Sequence, residues 1–182
     1  MNTPGNKFRQ AIADNNPLMV VGAVNAYCAK MAEKAGHKAL YLSGAGVANA
    51  SFGLPDLAIT TLNDVAEDSR RITQATNLPL LIDIDTGFGG AFSISRTIKE
   101  MIAADVAAVH IEDQVTQKRC GHRPNKSLVD KIEMSDRIKA AVDGRTDESF
   151  FIMARTDSYA TEGMNGAIDR CSEYIAAGAD GL

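Results

Sequence analysis

The 182-residue sequence predicts an α/β fold whose strands are parallel and covered on both faces. Five apolar runs of strand length lack polar alternation, at residues 18–23, 39–42, 78–84, 106–111 and 150–154. Helical patterns alternate with them, at residues 26–35, 62–75, 94–104, 131–142 and 167–177. The segments KAGHKALYL, AADVAAVHI and AAGADGL each join a helix end rich in Ala and Gly to the next apolar run, so one βα unit recurs.

Polar segments follow nearly every predicted strand: SGAG at 43–46, DIDTGFGG at 83–90, HIED at 110–113 and ARTDS at 154–158. A (β/α)8 barrel builds its site from all of its C-terminal loops, whereas an open doubly wound sheet uses one crevice, so we favour the barrel. Such barrels usually need about 250 residues. We therefore expect residues 1–182 to form a single barrel domain that is incomplete and stops at the start of strand 6, near Asp180.

Composition excludes several classes of protein. Hydrophobic residues make up 45% of the chain and charged residues 23%, as in ordinary globular proteins. No run approaches the ~20 apolar residues of a membrane span, and the start MNTPGNKFRQ lacks a signal-peptide core, so we expect a cytoplasmic protein without a membrane partner. The net charge of −4 argues against nucleic-acid binding but leaves a compact anionic substrate possible.

Two pairs of polar side chains end neighbouring apolar runs. Asp83 and Asp85 are two residues apart, as are His110 and Glu112, so strand alternation places each pair on one face. Three hard carboxylates at one opening suit Mg²⁺ or Mn²⁺. The alternative is that the two aspartates cap a helix or hydrogen-bond within the following loop. For His110 we expect a role in orienting a neighbour.

The segment 114–127 is long, polar and basic. A loop of this length in a compact domain is often functional, and nearby cations stabilise a thiolate, which makes Cys120 a candidate for proton exchange. Gly121 leaves room for close approach to the backbone. The alternative is a solvated charged loop with an incidental cysteine. The basic residues around Cys120 and His122 are Lys118, Arg119, Arg123 and Lys126.

The motif KRCGH at 118–122 resembles the signature of the lyase branch of the isocitrate lyase and phosphoenolpyruvate mutase superfamily. The segments YLSGAGVANASFGLPD at 41–56, DIDTGFGG, HIEDQ and ARTDS also match that superfamily in order and spacing, from about residue 7 onward. The continuation RPNK at 123–126 is similar to the 2-methylisocitrate lyase family within this branch.

The resemblance implies a (β/α)8 barrel, a homotetramer with helix exchange between subunits, and a magnesium cofactor, with Mn²⁺ as a substitute. It also implies cleavage of a small anionic tricarboxylate, 2-methylisocitrate, to pyruvate and succinate in the methylcitrate cycle of propionate breakdown.

By the same resemblance, Asp85 is the direct metal ligand, Asp83 and Glu112 hold its coordinated waters, and Asp56 lies near the metal on a mobile loop. Cys120 is the general acid.

The substrate-binding residues also follow from the resemblance. Ser43, Gly44 and Ala45 bind the pyruvate-side carboxylate and Arg155 supplies a charged contact, while Gly121 and His122 meet the succinate-side carboxylate. Tyr41 is the candidate base.

Three other functions remain open. A phosphonomutase or an oxaloacetate-type decarboxylase would share the carboxylates, although KRCGH argues against both. An isocitrate lyase differs by one methyl group of substrate, worth only ~1–3 kcal/mol in a hydrophobic pocket. The expected lack of strands six to eight favours a non-catalytic fragment that retains the metal site.

Overall fold

Five parallel strands form one sheet in the computed structural model, which describes residues 3–182. They are β1 Val20–Gly22, β2 Ala39–Leu42, β3 Leu80–Asp83, β4 Ala108–Glu112 and β5 Phe151–Arg155. Their order in the sheet is β1-β2-β3-β4-β5, so every strand lies beside its neighbour in sequence. A doubly wound sheet reverses its order at a switch point, whereas this order is that of a barrel wall, and the predicted fold class is confirmed.

Helices connect the strands. They are α1 Pro4–Asp14, α2 Ala26–Lys34, α3 Gly44–Gly46, α4 Leu62–Thr73, α5 Ala91–Ala103, α6 Lys131–Gly144 and α7 Tyr159–Ala176, and a π-helical turn, Val47–Ser51, continues α3. The predicted helices are confirmed to within a few residues, except that α7 begins eight residues before the predicted 167. Gly163, with φ of 70°, interrupts its regular geometry, which is why the periodic pattern starts later.

Helix α1 was not predicted. Pro4 occupies its first turn, and Thr3 caps it by accepting a hydrogen bond from the Asn6 backbone N–H at 3.3 Å. Its apolar stripe is short, which hides it in the sequence. Phe8 is buried and packs edge-on against Phe151, with ring centroids 5.5 Å apart. Helix α1 therefore covers the N-terminal ends of the strands on the face of the sheet that carries Phe151.

Strand alternation separates the two faces of the sheet. Leu40, Ile82, Val109 and Ile152 are buried in the main core on one face. The other face is apolar near the N-terminal ends of the strands, where Ala39, Leu81, Ala108 and Phe151 surround Phe8. Toward the C-terminal ends that same face becomes polar, with Tyr41, Asp83, His110, Glu112 and Arg155 at alternate positions. This polar end is where a barrel places its site.

The last residues lie along β5. Gly181 forms a parallel bridge with Met153, and the Asp180 backbone N–H donates to the Ile152 carbonyl at 2.7 Å. The Asp180 carboxylate also accepts from the Ile152 N–H at 2.9 Å. Asp180 and Gly181 therefore lie alongside β5. Separately, no helix within residues 3–182 is long and apolar enough to cross a membrane.

Candidate active site

Two aspartates face each other at the C-terminal end of β3. Asp83 ends the strand and Asp85 follows it with φ of 49°, and both are buried. A Cβ built on Gly44 would lie 3.0 Å from Asp85 Oδ1 and 3.2 Å from Asp83 Oδ2, so both oxygens border one small space beside the Gly44 backbone. A side chain at position 44 would fill that space.

Glu112 adds a third carboxylate at the end of β4. It is 1% exposed, and neither of its oxygens accepts a hydrogen bond from any residue in the range 3–182. Arg155 Nη1 lies 3.4 Å from Glu112 Oε2. Burial raises the pKa of Glu112 to about 8 against the opposing charge of Arg155, and burial with the Asp83 charge raises the pKa of Asp85 to about 6. Burial therefore favours the protonated form of both carboxyl groups unless a cation stands beside them.

Lys118 supplies the cation nearest to this cluster. Its Nζ lies 2.7 Å from Asp85 Oδ1 and pairs with Asp56, and the side chain is 3% exposed. Burial lowers the pKa of Lys118, but the Asp85 and Asp56 carboxylates outweigh it and hold that pKa above its ordinary value. Within residues 3–182, no three His, Cys, Asp or Glu side chains are arranged to hold a metal ion as they stand. The ammonium group takes that electrostatic role instead.

The donor set nevertheless fits a hard divalent cation. Asp83, Asp85 and Glu112 are buried carboxylates at neighbouring strand ends, and the Glu112 oxygens lack donors. Buried carboxylates without hydrogen bonds are costly unless a cation compensates them. Oxygen ligands of this kind suit Mg²⁺.

Tyr41 and His110 form a pair next to Asp83. The Tyr41 hydroxyl lies 2.8 Å from His110 Nε2, and the rings stack with centroids 5.5 Å apart. His110 Nδ1 lies 3.6 Å from Asp83 Oδ1. Burial lowers the pKa of His110, while burial and the Asp83 charge raise the pKa of Tyr41. A protonated phenol thus faces a neutral imidazole, and Tyr41 is the side chain that His110 contacts.

The segment Ser43 to Ala45 begins a short helical turn after β2. The Gly44 N–H donates to Asp83 Oδ2 at 3.3 Å, so one predicted substrate donor is used by a carboxylate of the protein. The Ser43 hydroxyl makes no capping hydrogen bond to α3. The Ala45 carbonyl accepts from Asn49 Nδ2 at 2.7 Å, which fixes the turn.

The loop 114–127 is anchored rather than loosely solvated. The Gln114 side chain accepts from the Arg119 N–H at 3.0 Å and donates to the Arg119 carbonyl at 2.9 Å. Lys126 Nζ donates to the Gly121 carbonyl at 2.6 Å and to Asp157 Oδ1 at 2.8 Å. These contacts tie both ends of the segment to the protein, while Arg119, His122 and Arg123 between them remain exposed.

Gly121 lies directly against Arg155. A Cβ at position 121 would overlap Arg155 Nη2, so the group that approaches this glycine in the structure is the guanidinium. Arg155 also pairs with Asp157 at 3.2 Å. His122 is exposed, and the structure does not bring it to the carboxylates.

Cys120 is partly exposed and lines a cavity of about 520 Å³. Asp56 and Leu57 line the same cavity from the loop that follows α3. The thiol therefore has open space in front of it, bordered by a carboxylate that Lys118 links to Asp85.

Sequence reasoning missed several residues of this site. Gln114 and Asp157 fix the loop, and Lys118 neutralises Asp85. All three stand in the motifs HIEDQ, ARTDS and KRCGH. The motifs therefore marked the positions, but only the contacts show what each side chain does.

A family model described as phosphoenolpyruvate phosphomutase matches residues 8–182. The chain belongs to the phosphoenolpyruvate phosphomutase family. The sequence is 66% identical over 176 residues to a 2-methylisocitrate lyase of Shewanella oneidensis, covering 97% of this chain and 60% of that protein. It is 64% identical over 178 residues to a 2-methylisocitrate lyase of Vibrio cholerae, covering 98% of this chain and 58% of that protein. This member of the family thus spans about 60% of the length of those relatives.

Solved structures of the phosphoenolpyruvate phosphomutase family's neighbours share the fold. A 2,3-dimethylmalate lyase superposes with a TM-score of 0.90 at 38% identity, over 100% of this chain and 62% of that one. An oxaloacetate acetylhydrolase bound to 3,3-difluorooxalacetate superposes with a TM-score of 0.93 at 36% identity, over 99% of this chain and 63% of that one. A phosphonopyruvate hydrolase in complex with oxalate and Mg²⁺ superposes with a TM-score of 0.84 at 30% identity, over 98% of this chain and 61% of that one.

Proposed function

We propose that the protein is a magnesium-dependent carbon–carbon lyase that cleaves 2-methylisocitrate to pyruvate and succinate. Two bacterial relatives with this name share 64% and 66% of aligned residues with the chain. The site offers buried carboxylates, a hydroxyl–imidazole pair and a thiol on an anchored loop, which are the groups that such a cleavage requires.

One observation carries the proposal. The KRCGH loop contacts the buried groups at two points, since Lys118 pairs with Asp85 and Gly121 packs on Arg155. Cys120 lies between these two contacts in sequence, which supports its role as the acid of the reaction. A phosphonomutase or a decarboxylase does not need an acidic thiol there.

The metal would be held by Asp83, Asp85 and Glu112. When bound, magnesium supplies Lewis-acid stabilisation of negative charge that develops on a substrate oxygen. Asp56 reaches the same region through Lys118, so the loop that carries Asp56 is coupled to the carboxylate cluster.

Removal of the substrate hydroxyl proton falls to Tyr41 and His110. The Tyr41 oxygen takes that proton while the phenolic proton passes to His110 Nε2, which lies 2.8 Å away and accepts it as a neutral imidazole. Asp83, 3.6 Å from Nδ1, stabilises the imidazolium that results. Because its pKa is raised, Tyr41 carries its own proton at neutral pH, and the relay gives that proton an acceptor.

Loss of the hydroxyl proton breaks the bond between the carbinol carbon and its neighbour. The carbinol carbon becomes the ketone of pyruvate, and the bonding electrons move to the neighbouring carbon and its carboxylate. Cys120 gives its S–H proton to that carbon, and the product is succinate. The anchored loop excludes water while the carbanion exists.

The tricarboxylate substrate would be bound by donors on three segments. Ser43, Gly44 and Ala45 face the pyruvate-side carboxylate with Arg155, and Gly121 and His122 meet the succinate side. Because His122 is exposed in this structure, its role requires that the loop move when substrate binds. The homotetramer, the cytoplasmic location and the methylcitrate cycle belong to the same proposal and rest on the resemblance.

The test is a direct assay of the full natural protein with Mg²⁺. Pyruvate and succinate should form in equal amounts from 2-methylisocitrate, and chelation of the metal should stop the reaction. A higher kcat/KM for isocitrate, with glyoxylate as product, would overturn the substrate assignment. Turnover of phosphonopyruvate in preference to both tricarboxylates would overturn the reaction class.

A further inference from the structure

Asp113 is a fully buried carboxylate that the proposed reaction does not use. It follows Glu112 directly at the end of β4 and is 0% exposed. Its Oδ1 accepts from the Asp157 backbone N–H at 3.0 Å, and its Oδ2 accepts from the Thr156 hydroxyl at 2.6 Å. The side chain therefore ties the end of β4 to the turn that follows β5.

Helix α7 completes the shell of donors. The Tyr174 hydroxyl donates to Asp113 Oδ2 at 2.9 Å, and Arg170 Nη1 lies 3.4 Å from the same oxygen. Arg170 is itself held by Glu162, with Nε to Oε2 at 2.8 Å and Nη2 to Oε1 at 2.6 Å. The negative charge of Asp113 is thus matched by an anchored guanidinium on a helix outside the sheet.

The contacts of Asp113 lie directly beside two residues of the site. Glu112 and Arg155 are register partners of β4 and β5, and Asp113 and Thr156 come directly after them. On the other side of Thr156, Asp157 receives Lys126 at 2.8 Å and Gln114 at 3.0 Å from the loop 114–127. One carboxylate therefore sets the spacing of Glu112 and Arg155 and fixes the anchor of the loop.

The backbone around Asp113 is clamped as well. Arg137 of α6 donates from Nη1 to the Gln114 carbonyl at 2.8 Å and to the Glu112 carbonyl at 3.3 Å. These carbonyls flank Asp113 on both sides. The backbone at residues 112–114 is therefore held in place. If the contacts of the Asp113 side chain change, we expect Arg155 and Asp157 to move and this backbone to stay.

We infer that Asp113 is a positioning residue, which holds Arg155 and Asp157 at fixed positions relative to Glu112. Arg155 can then bind the substrate carboxylate while Asp157 holds the loop that carries Cys120. The inference about Asp113 rests on the proposed function. It predicts that a change at Asp113 lowers kcat/KM in addition to any loss of stability. Misplacement of binding groups by about 1 Å costs roughly 100-fold in rate.

The principal variant is Asp113→Asn. An amide keeps the shape of the carboxylate but presents an NH₂ group to hydroxyl, guanidinium or backbone donors, so at least one of these contacts is lost. A matched control is Asp180→Asn. Asp180 accepts from Arg145 at 2.8 Å, from Arg9 at 2.9 Å and from the Ile152 N–H, a similar network at the opposite end of β5.

Steady-state kinetics with 2-methylisocitrate would be measured for the full natural protein and both variants, together with urea unfolding. For Asp113→Asn we expect kcat/KM to fall roughly 10- to 100-fold with a raised KM in the folded protein. Asp180→Asn should lose stability and keep the wild-type kcat/KM per folded molecule. Equal kcat/KM in the two variants would overturn the inference.

A second variant guards against failure of Asp113→Asn to fold. Tyr174→Phe removes one donor to Asp113 from α7, none of whose residues is assigned to the site, and we expect a severalfold rise in KM with little change in kcat. If Asp113→Asn does not fold, wild-type KM in Tyr174→Phe would by itself refute the positioning role. If the wild-type protein fails to cleave 2-methylisocitrate, the proposed function fails, whereas an active wild type with unaffected variants refutes the inference about Asp113.

Discussion

The ammonium group of Lys118 lies 2.7 Å from Asp85 Oδ1, at the carboxylate that the family resemblance assigns as direct metal ligand. The same nitrogen pairs with Asp56, so one buried cation joins the loop after α3 to the loop 114–127. Two carboxylates near a lysine can be neutralised by it or by a divalent cation, but both cations compete for Asp85. The relationship predicts that metal binding and closure of the KRCGH loop are coupled.

Replacement of Lys118 should therefore strengthen metal binding. In Lys118→Met we expect the Kd for Mg²⁺, measured by calorimetry, to fall roughly tenfold, about 1.4 kcal/mol. The reason is that Asp85 and Asp56 lose their competing cation. Lys126→Met is the matched control, since Lys126 lies on the same loop but pairs with Asp157. Weaker magnesium binding in Lys118→Met would show that the lysine assists the metal.

Glu112 should make the stability of the metal-free protein depend on pH. Its pKa rises from 4.5 to about 8 on folding because it is buried, so between these values the folded state holds a proton that the unfolded chain has lost. Stability must then decrease as pH rises through this window, by an amount on the order of a few kcal/mol. Urea unfolding with a chelator present would measure the slope.

The control for this pH dependence is Glu112→Gln, which cannot ionise. The decrease in the free energy of unfolding between about pH 5 and about pH 8 should be much smaller in that variant. An unchanged slope would assign the effect to other groups, in the first place Asp85, whose pKa is also raised.

Cys120→Ser should nearly abolish cleavage of 2-methylisocitrate. A serine hydroxyl is a far weaker acid than a thiol, and loss of a general acid costs roughly 10²- to 10⁴-fold in kcat. Cys171→Ser is the control, because Cys171 is also partly exposed but lies on α7, away from the loop. Strong turnover by Cys120→Ser would remove the thiol from the mechanism and favour a relative that does not use it.

Gly121→Ala should raise KM. The added Cβ would overlap Arg155 Nη2, so either the loop or the guanidinium must move away from the position in which they now meet. We expect kcat/KM to fall roughly 10-fold or more, as for other displacements of binding groups. Gly90→Ala is the matched control, since a Cβ there meets nothing within 4 Å. Equal KM in both variants would show that the contact of Gly121 with Arg155 has no role in binding.

The sequence by itself determined the α/β class, the alternation of strands and helices, and the motifs that end the strands. Periodicity reports which residues are buried, and apolar runs of strand length without polar alternation are typical of strands covered on both faces. The identities of Asp83, Asp85, Glu112 and Cys120 as candidates followed from chemistry and from the resemblance. Helix α1 escaped because its buried stripe is short, with Phe8 as its one large residue.

Only the tertiary structure decided which of these groups meet. Lys118 and Asp85 are far apart along the chain, and they meet because parallel strands bring their C-terminal ends to one side. Asp113 and Tyr174 are also far apart along the chain, and they meet because α7 packs back against the strands. The partner of a buried charge depends on distances that no local pattern contains. For that reason the sequence predicted Lys118 only as a basic residue of a loop and Asp113 only as part of a motif, and the structure shows their partners.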